Sequence, residues 1–180
     1  DWDRSAGPLK LSSDGRTLYT AADELGQHPL FAIDIASGAS TLIAGNGSVG
    51  EFDLADGTLA FTRDTLTSPA QLFVRQPAGG ADRQVSVNNA ESLAKLAMGE
   101  AEQFHFTGAK GEKVYGYVVK PANYQQGKTY PVAFLIHGGP QGSFGNHFHY
   151  RWNPQTYAGQ GFAVVMIDFH GSTGYGQAFT

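Results

Sequence analysis

The stretch FLIHGGPQGSFG, residues 134–145, runs from apolar residues directly into two glycines and a proline. Glycine lets the main chain approach a bound group closely, and fixed backbone N–H groups stabilise a carbonyl oxygen that becomes negative in a transition state. Pro140 has no N–H, so Gly138 and Gly139 are the candidate donors. The alternative is that Gly-Gly-Pro only forms a tight turn.

The residues on either side of this stretch favour the functional interpretation. The apolar run Tyr130–His137 predicts a strand that is buried on both faces. Asn153 and Pro154 predict the start of a helix that ends at Gly161, and Phe162–Ile167 predicts a second buried strand. A strand, a glycine loop, a helix and a strand in this order indicate an α/β domain, and a His-Gly-Gly loop after a strand supplies one oxyanion-hole donor in α/β-hydrolases.

The nucleophile expected in such a site is a serine in a G-x-S-x-G turn, and the sequence contains none. Ser48, Ser143 and Ser172 lie in similar segments that lack the first glycine. In α/β-hydrolases the base histidine follows the serine, so His137 does not fill that role for Ser143 or Ser172. We expect His137 to orient the loop by bonding local backbone, and the catalytic triad to be absent from this chain.

The first half of the chain contains an internal repeat. Asp14-Gly15 recurs as Asp56-Gly57, and Leu30-Phe31 recurs as Leu72-Phe73, each at an offset of 42 residues. Short segments of β-type residues separated by turn pairs, at this period, are typical of the four-stranded blades of a β-propeller. A pair of duplicated hairpins in a β-sandwich is the alternative.

The pattern changes near residue 88, which predicts a domain boundary. We expect the last propeller blades, about two, in residues 1–87, a linker in 88–101, and the N-terminal portion of an α/β-hydrolase domain in 102–180. Within the linker, Asn89 is predicted to cap a helix that ends at Gly99. After it, the segments QFHFTG and KVYGYVVKP predict a β-hairpin across Ala109–Glu112.

Composition limits the function classes. The chain has 180 residues, 41% hydrophobic and 16% charged, a net charge of -4 and no cysteine. These values fit a globular protein, exclude thiolate chemistry and give no basic cluster for nucleic acid. No apolar run has the length of a membrane span. The chain starts at Asp1 without a methionine and stops at Thr180 without an end signal, so we expect a longer parent protein.

A metal or nucleotide site is disfavoured. His147, His149, His170 and Asp168 do not form a closed set of four ligands. The glycines of GSTGYG, residues 171–176, do not follow G-x-G-x-x-G order. We therefore expect no cofactor. The side chains of Arg151 and Asn153 are expected either to contact substrate carbonyls or to hold the loop in place.

Three segments resemble the prolyl oligopeptidase family of serine peptidases, and within it the acylaminoacyl-peptidase and dipeptidyl-peptidase 5 branch. They are HGGPQGSFGNHFHYRWNPQ at 137–155, GQGFAVVMIDFHGSTGYG at 159–176, and the blade segment SSDGRTLYTAAD at 12–23. The family joins an N-terminal β-propeller to a C-terminal α/β-hydrolase domain. The resemblance implies that Gly139 donates one oxyanion-hole N–H and that the Ser, Asp and His lie beyond Thr180. His170 stands where the family often has arginine.

The resemblance also implies a function and partners. We expect a portion of a serine exopeptidase that acts on short peptides through an acyl-enzyme, is inactive as this chain alone, and depends on the remainder of the same enzyme. An esterase of the same fold and a non-catalytic propeller-derived binding fragment are the alternatives. Homo-oligomers stay open, and nucleic acid and membranes are not expected as partners. The family includes periplasmic, secreted and cytosolic peptidases, of which we favour the first two.

Overall fold

The computed structural model describes residues 2–76, 79–139 and 141–180. It contains three four-stranded sheets that follow one another along the chain. The first two sheets are antiparallel and have their strands in sequence order. The bounds of their eight strands are β1 Leu9–Leu11, β2 Thr17–Ala21, β3 Leu30–Asp34, β4 Ser40–Ala44, β5 Ser48–Ala55, β6 Thr58–Thr65, β7 Ser68–Arg75 and β8 Arg83–Gln84.

The predicted repeat corresponds to these two sheets. Tyr19 on β2 and Phe61 on β6 occupy equivalent positions, and both are buried. The prediction of four strands in each unit is therefore confirmed. The pairs Asp14-Gly15 and Asp56-Gly57 lie in the turns that precede β2 and β6.

A shared core joins the two sheets. Leu30, Leu59 and Phe61 are almost completely buried in it, and Phe73 stacks on Phe61 at 5.6 Å between ring centroids. Each large apolar side chain buried in this way stabilises the fold by about 1.5–3 kcal/mol. The guanidinium of Arg63 lies 4.2 Å from the centroid of the Phe73 ring and closes one side of the core.

The third sheet has mixed topology, with strand order β11-β12-β10-β9. Its elements are β9 Ala101–Thr107, β10 Lys113–Val119, β11 Val132–Leu135 and β12 Ala163–Asp168, with helix α2 Pro154–Ala158 between β11 and β12. β9 and β10 form the predicted hairpin, and β12 is the predicted second buried strand. β11 and β12 are parallel, so the chain crosses over between them through α2.

Asn153 begins α2 as predicted. Its side-chain oxygen accepts a 2.9 Å hydrogen bond from the Gln155 amide, and Pro154 takes the first helical position. Asn153 is itself buried. It caps the helix that follows the loop, and its contact with a substrate carbonyl or support of the loop stays a prediction.

The predicted linker helix is wrong in length and in its cap. Helix α1 covers only Ala90–Leu93, and Asn89 adopts a left-handed conformation with no side-chain hydrogen bond to the helix. None of the α1 residues is buried, and Leu96 after it is exposed. A short helix without an apolar face packed on the rest of the protein gains too little to extend. The division into domains at 87 and 102 stays a prediction.

The prediction that the Tyr130–His137 strand is buried on both faces is also wrong for this chain. β11 lies at the edge of its sheet, and Val132, Phe134 and Ile136 are exposed by 60%, 51% and 63%. The opposite face, with Leu135, packs toward the core that includes Ala158. No described residue covers the outer face, so its apolar residues remain in water.

The second blade-like sheet and the third sheet are in direct contact. Leu66, in the turn after β6, is buried in the core formed by β10, β12 and α2. The turn between β2 and β3 also reaches the third sheet, because the Gln27 side chain donates a hydrogen bond to the Tyr117 hydroxyl. Among the described residues, no helix is both long and apolar enough to cross a membrane.

Candidate active site

The loop that follows β11 carries the predicted oxyanion donors. It connects the third strand of the mixed sheet with α2, and its described residues form no regular secondary structure. Gly138 and Gly139 are exposed, and among residues 2–76, 79–139 and 141–180 neither of their amides donates a hydrogen bond to the protein. Pro140, which led us to restrict the donors to these two glycines, lies outside the described residues.

His137 is held at the start of this loop. Its ring is buried and stacks on Phe169 with 4.4 Å between centroids. Its Nδ1 lies 2.8 Å from the Gly138 carbonyl oxygen, and its Nε2 lies 2.8 Å from the Ser172 hydroxyl. A carbonyl only accepts, so Nδ1 carries the hydrogen and Nε2 accepts from Ser172. This geometry is consistent with the predicted loop-orienting role, which stays a prediction.

Asp168 anchors the middle of the same loop. It lies at the end of β12, is 3% exposed, and accepts hydrogen bonds from the Ser143 hydroxyl at 2.6 Å and the Phe144 amide at 2.9 Å. The Tyr175 hydroxyl donates a third bond at 2.7 Å. Burial, followed by the nearby Asp168 carboxylate, raises the pKa of Tyr175 well above its usual value. Tyr175 therefore stays protonated and keeps donating.

Ser172, His137 and Asp168 lie close together but do not form a catalytic triad. In a triad the acid bonds Nδ1 while the serine faces Nε2. Here the Asp168 carboxylate lies 3.9 Å from Nε2, on the same nitrogen that Ser172 occupies, and Nδ1 faces backbone. Ser172 is completely buried, so its hydroxyl is not accessible to a substrate. In this arrangement His137 contacts Ser172, Asp168 and the backbone of the glycine loop.

A second carboxylate holds the far end of the loop from outside the mixed sheet. Asp64 on β6 accepts hydrogen bonds from His147 Nδ1 at 2.8 Å and from the Phe148 amide at 2.7 Å. The bond to Asp64 raises the pKa of His147, against the opposing effect of partial burial. Next to it, the Asn146 side-chain oxygen accepts from the Leu66 amide at 2.9 Å.

Sequence reasoning missed Asp64. It considered Asp168 only as a possible metal ligand, and it disfavoured that metal site. One signal for Asp64 was present: at the 42-residue offset its counterpart is Ala22, which is buried. A charged residue in place of a buried alanine indicates that this position has a role in the second repeat unit that it does not have in the first.

A cavity of about 590 Å³ opens beside Gly138. Its wall is mainly apolar, with Leu66 from the turn after β6, Phe134 from β11, and Ile136 and Trp152 from the loop. Gly138 and His149 supply polar groups at the same cavity. An apolar cavity with a few convergent polar groups is typical of a ligand site.

Comparisons with known proteins agree with the sequence resemblance. A model described as the prolyl oligopeptidase family matches residues 148–180. A dipeptidyl-peptidase 5 from Arthroderma otae is 36% identical over 100% of this chain, which spans 26% of that relative. The chain thus covers about a quarter of the length of the curated relatives it matches.

Solved structures give the same result for the whole chain. An acylaminoacyl peptidase in complex with Z-Gly-Gly-Phe-chloromethyl ketone has a TM-score of 0.84 at 30% identity, over 99% of this chain and 27% of that one. Pyrococcus horikoshii acylaminoacyl peptidase has a TM-score of 0.83 at 29% identity, over 98% and 27%. The predicted fold class is confirmed: propeller blades followed by the N-terminal part of an α/β-hydrolase domain. Residues 148–180 thus match the prolyl oligopeptidase family, and the whole chain is similar to about a quarter of the length of peptidases of this kind.

Proposed function

We propose that this chain is part of a serine exopeptidase that removes short units from the ends of peptides. The observation that carries the proposal is the pair of exposed amides of Gly138 and Gly139 after β11, neither of which donates a hydrogen bond to a described residue. Gly138 also lines an apolar cavity. The names of the similar proteins, dipeptidyl-peptidase 5 and acylaminoacyl peptidase, support this class of substrate.

The chemistry divides between this chain and the remainder of the enzyme. A serine outside residues 1–180 attacks the scissile carbonyl, an acyl-enzyme forms as the amine leaves, and water then releases the acyl group. The Gly139 amide, together with Gly138, donates hydrogen bonds to the carbonyl oxygen as it becomes negative. Loss of one such donor raises the barrier by about 3–4 kcal/mol.

The first experiment compares the complete enzyme with the 180-residue chain. Each is treated with a fluorophosphonate probe, which phosphonylates activated serines, and its intact mass is then measured under denaturing conditions, with a heat-inactivated sample as control. We expect the complete enzyme to gain one probe and the chain to stay near 19.2 kDa. A probe mapped to Ser48, Ser143 or Ser172 would contradict the proposal.

The substrate class is then tested on the complete enzyme. Fluorogenic dipeptidyl, N-acylaminoacyl and single aminoacyl amides are compared with a simple ester of equal leaving-group strength. Turnover of a dipeptidyl or acylaminoacyl amide supports an exopeptidase. Turnover of the ester alone would identify an esterase instead, and no turnover or labelling would favour the non-catalytic binding fragment.

A further inference from the structure

We propose that Asp64, on the second blade, is a positioning residue for the peptidase reaction: its carboxylate holds the loop that carries the oxyanion donors. The proposal rests on the proposed function of Gly138 and Gly139. It assigns to the propeller a direct part in arranging the reaction centre.

The first step of the argument is the way in which the strand presents Asp64. Pairing between β6 and β7 shifts at this point, so that Pro69 and Ala70 together lie opposite Asp64 alone. Pro69 has no N–H to give to the ladder. Bulges of this kind are common beside functional sites, where they redirect a side chain. The Asp64 side chain is 11% exposed and points at the loop of the neighbouring domain.

The second step is the nature of the contact. One oxygen of Asp64, Oδ1, accepts from both the His147 ring and the Phe148 backbone amide. A bond to the main chain fixes the path of the loop itself, and bonds to a charged acceptor are about twice as strong as neutral ones. Asp64 therefore restrains the backbone of the loop as well as one of its side chains.

The third step is that the loop is restrained at two points by two carboxylates. Asp168 holds Ser143 and Phe144 from the mixed sheet, and Asp64 holds His147 and Phe148 from the blade. Between these points the Asn146 amide donates to the Gly26 carbonyl at 2.8 Å. The described residues of the loop form no strand or helix, so its conformation depends on contacts such as these.

Such a restraint affects the reaction because oxyanion stabilisation depends on donors that are fixed before the charge develops. Misplacement by about 1 Å, even from a distant change, costs up to about 100-fold in rate. Release of the blade contact leaves the loop free at its far end. We therefore expect turnover to fall more than substrate affinity.

Several titratable and charged groups face this contact. His149 lies 5.9 Å from His147 between ring centroids, and Arg151 lines the same depression as Asp64. On the other side of His147, Asp23 and His28 line a shared cavity. Asp64 raises the pKa of His147, so His147 is charged below that pKa. As pH rises through it, His147 becomes neutral and its contact with Asp64 weakens.

The test uses the complete enzyme and the best amide substrate. Asp64→Ala removes both bonds, Asp64→Asn keeps an oxygen acceptor without the charge, and His147→Asn keeps a neutral donor near the position of Nδ1. Asp53→Asn is the matched control, because Asp53 is an exposed aspartate on the neighbouring strand β5. All assays run well below the melting temperature of every variant.

We expect Asp64→Ala to lower kcat by about 10- to 100-fold with KM changed by less than about threefold. The kcat of Asp64→Asn should lie between the values for wild type and Asp64→Ala. In wild type, kcat should fall as His147 loses its proton, and in Asp64→Asn this fall should be absent. His147→Asn should remove the same pH dependence. If Asp64→Ala does not fold, the other two variants decide the question by their pH profiles.

Three results would overturn the proposal while leaving the peptidase function intact: unchanged kcat in Asp64→Ala or Asp64→Asn, an equal loss in Asp53→Asn, or lower melting temperatures with wild-type kcat and pH profile. Absence of activity in the wild-type enzyme would instead overturn the proposed function. The two failures are therefore distinguishable.

Discussion

The Ser172 hydroxyl donates a 2.8 Å hydrogen bond to Nε2 of His137, although the two residues lie 35 positions apart in the chain. The bond connects the loop after β12 with the first residue of the glycine loop. Both side chains are buried, so Nε2 of His137 and the Ser172 hydroxyl depend on each other for this hydrogen bond. This pair gives the first prediction.

Ser172→Ala should destabilise the complete enzyme without preventing fluorophosphonate labelling. The change leaves a buried acceptor on His137 without a donor, which costs about 1–3 kcal/mol. The free energy of unfolding is measured by urea denaturation, with Ser5→Ala, at an exposed serine, as control. Loss of labelling by the folded variant would contradict a purely supporting role for Ser172.

Gly145→Ala should weaken the contact between the loop and the first blade. A Cβ at Gly145 would lie 2.7 Å from the Gly26 carbonyl oxygen, which belongs to backbone and cannot rotate away. Overpacking of this kind typically costs about 1–3 kcal/mol.

The matched control is Gly45→Ala, whose new Cβ would meet only the Leu42 side chain at 3.5 Å. Unfolding in urea should show a lower midpoint for Gly145→Ala and little change for Gly45→Ala. Equal midpoints for the two variants would show that the loop is not packed against Gly26.

The stability of the complete enzyme should contain a pH-dependent part from His147. The hydrogen bond to Asp64 raises the pKa of His147 in the folded state. Its contribution is therefore fully present below about pH 6.5, the usual histidine pKa, and it is lost as pH rises through the higher folded value.

Unfolding of wild type and Asp64→Asn is measured by urea titration from pH 5 to pH 8. The difference in stability between them should be largest at the acidic end of this range and should shrink as pH rises. A difference that is constant, or that grows with pH, would show that His147 is not charged in the contact.

The edge of β11 should make the 180-residue chain associate when it is produced alone. An unpaired edge strand with exposed Val132, Phe134 and Ile136 is a template for pairing with a second copy. Phe134→Lys should weaken this association by about tenfold or more, which corresponds to about 1.4 kcal/mol.

Sedimentation velocity over a range of concentrations measures the effect. Leu96→Lys is the control, because Leu96 is similarly exposed but lies after α1 and outside every strand. If both variants associate like wild type, the edge of β11 is not the site of association.

Several features could be predicted because they depend on residues close together in sequence. The 42-residue repeat predicted two four-stranded units, since turn pairs and alternating residues specify short antiparallel strands locally. Asn153 and Pro154 predicted the start of α2 for the same reason. The Asn89 cap failed because a favourable residue type does not form a helix that has no apolar face to bury.

What only the tertiary structure decided is the environment of the glycine loop. Asp64 and His147 are 83 positions apart, and no local pattern predicts that a carboxylate on a blade reaches this loop. The exposed face of β11 likewise depends on which strands and helices lie beside it, and not on its own apolar residues. By itself the sequence determined strands, turns and the position of the candidate donors. Their restraint by Asp64 and Asp168 required the packing of distant segments against one another.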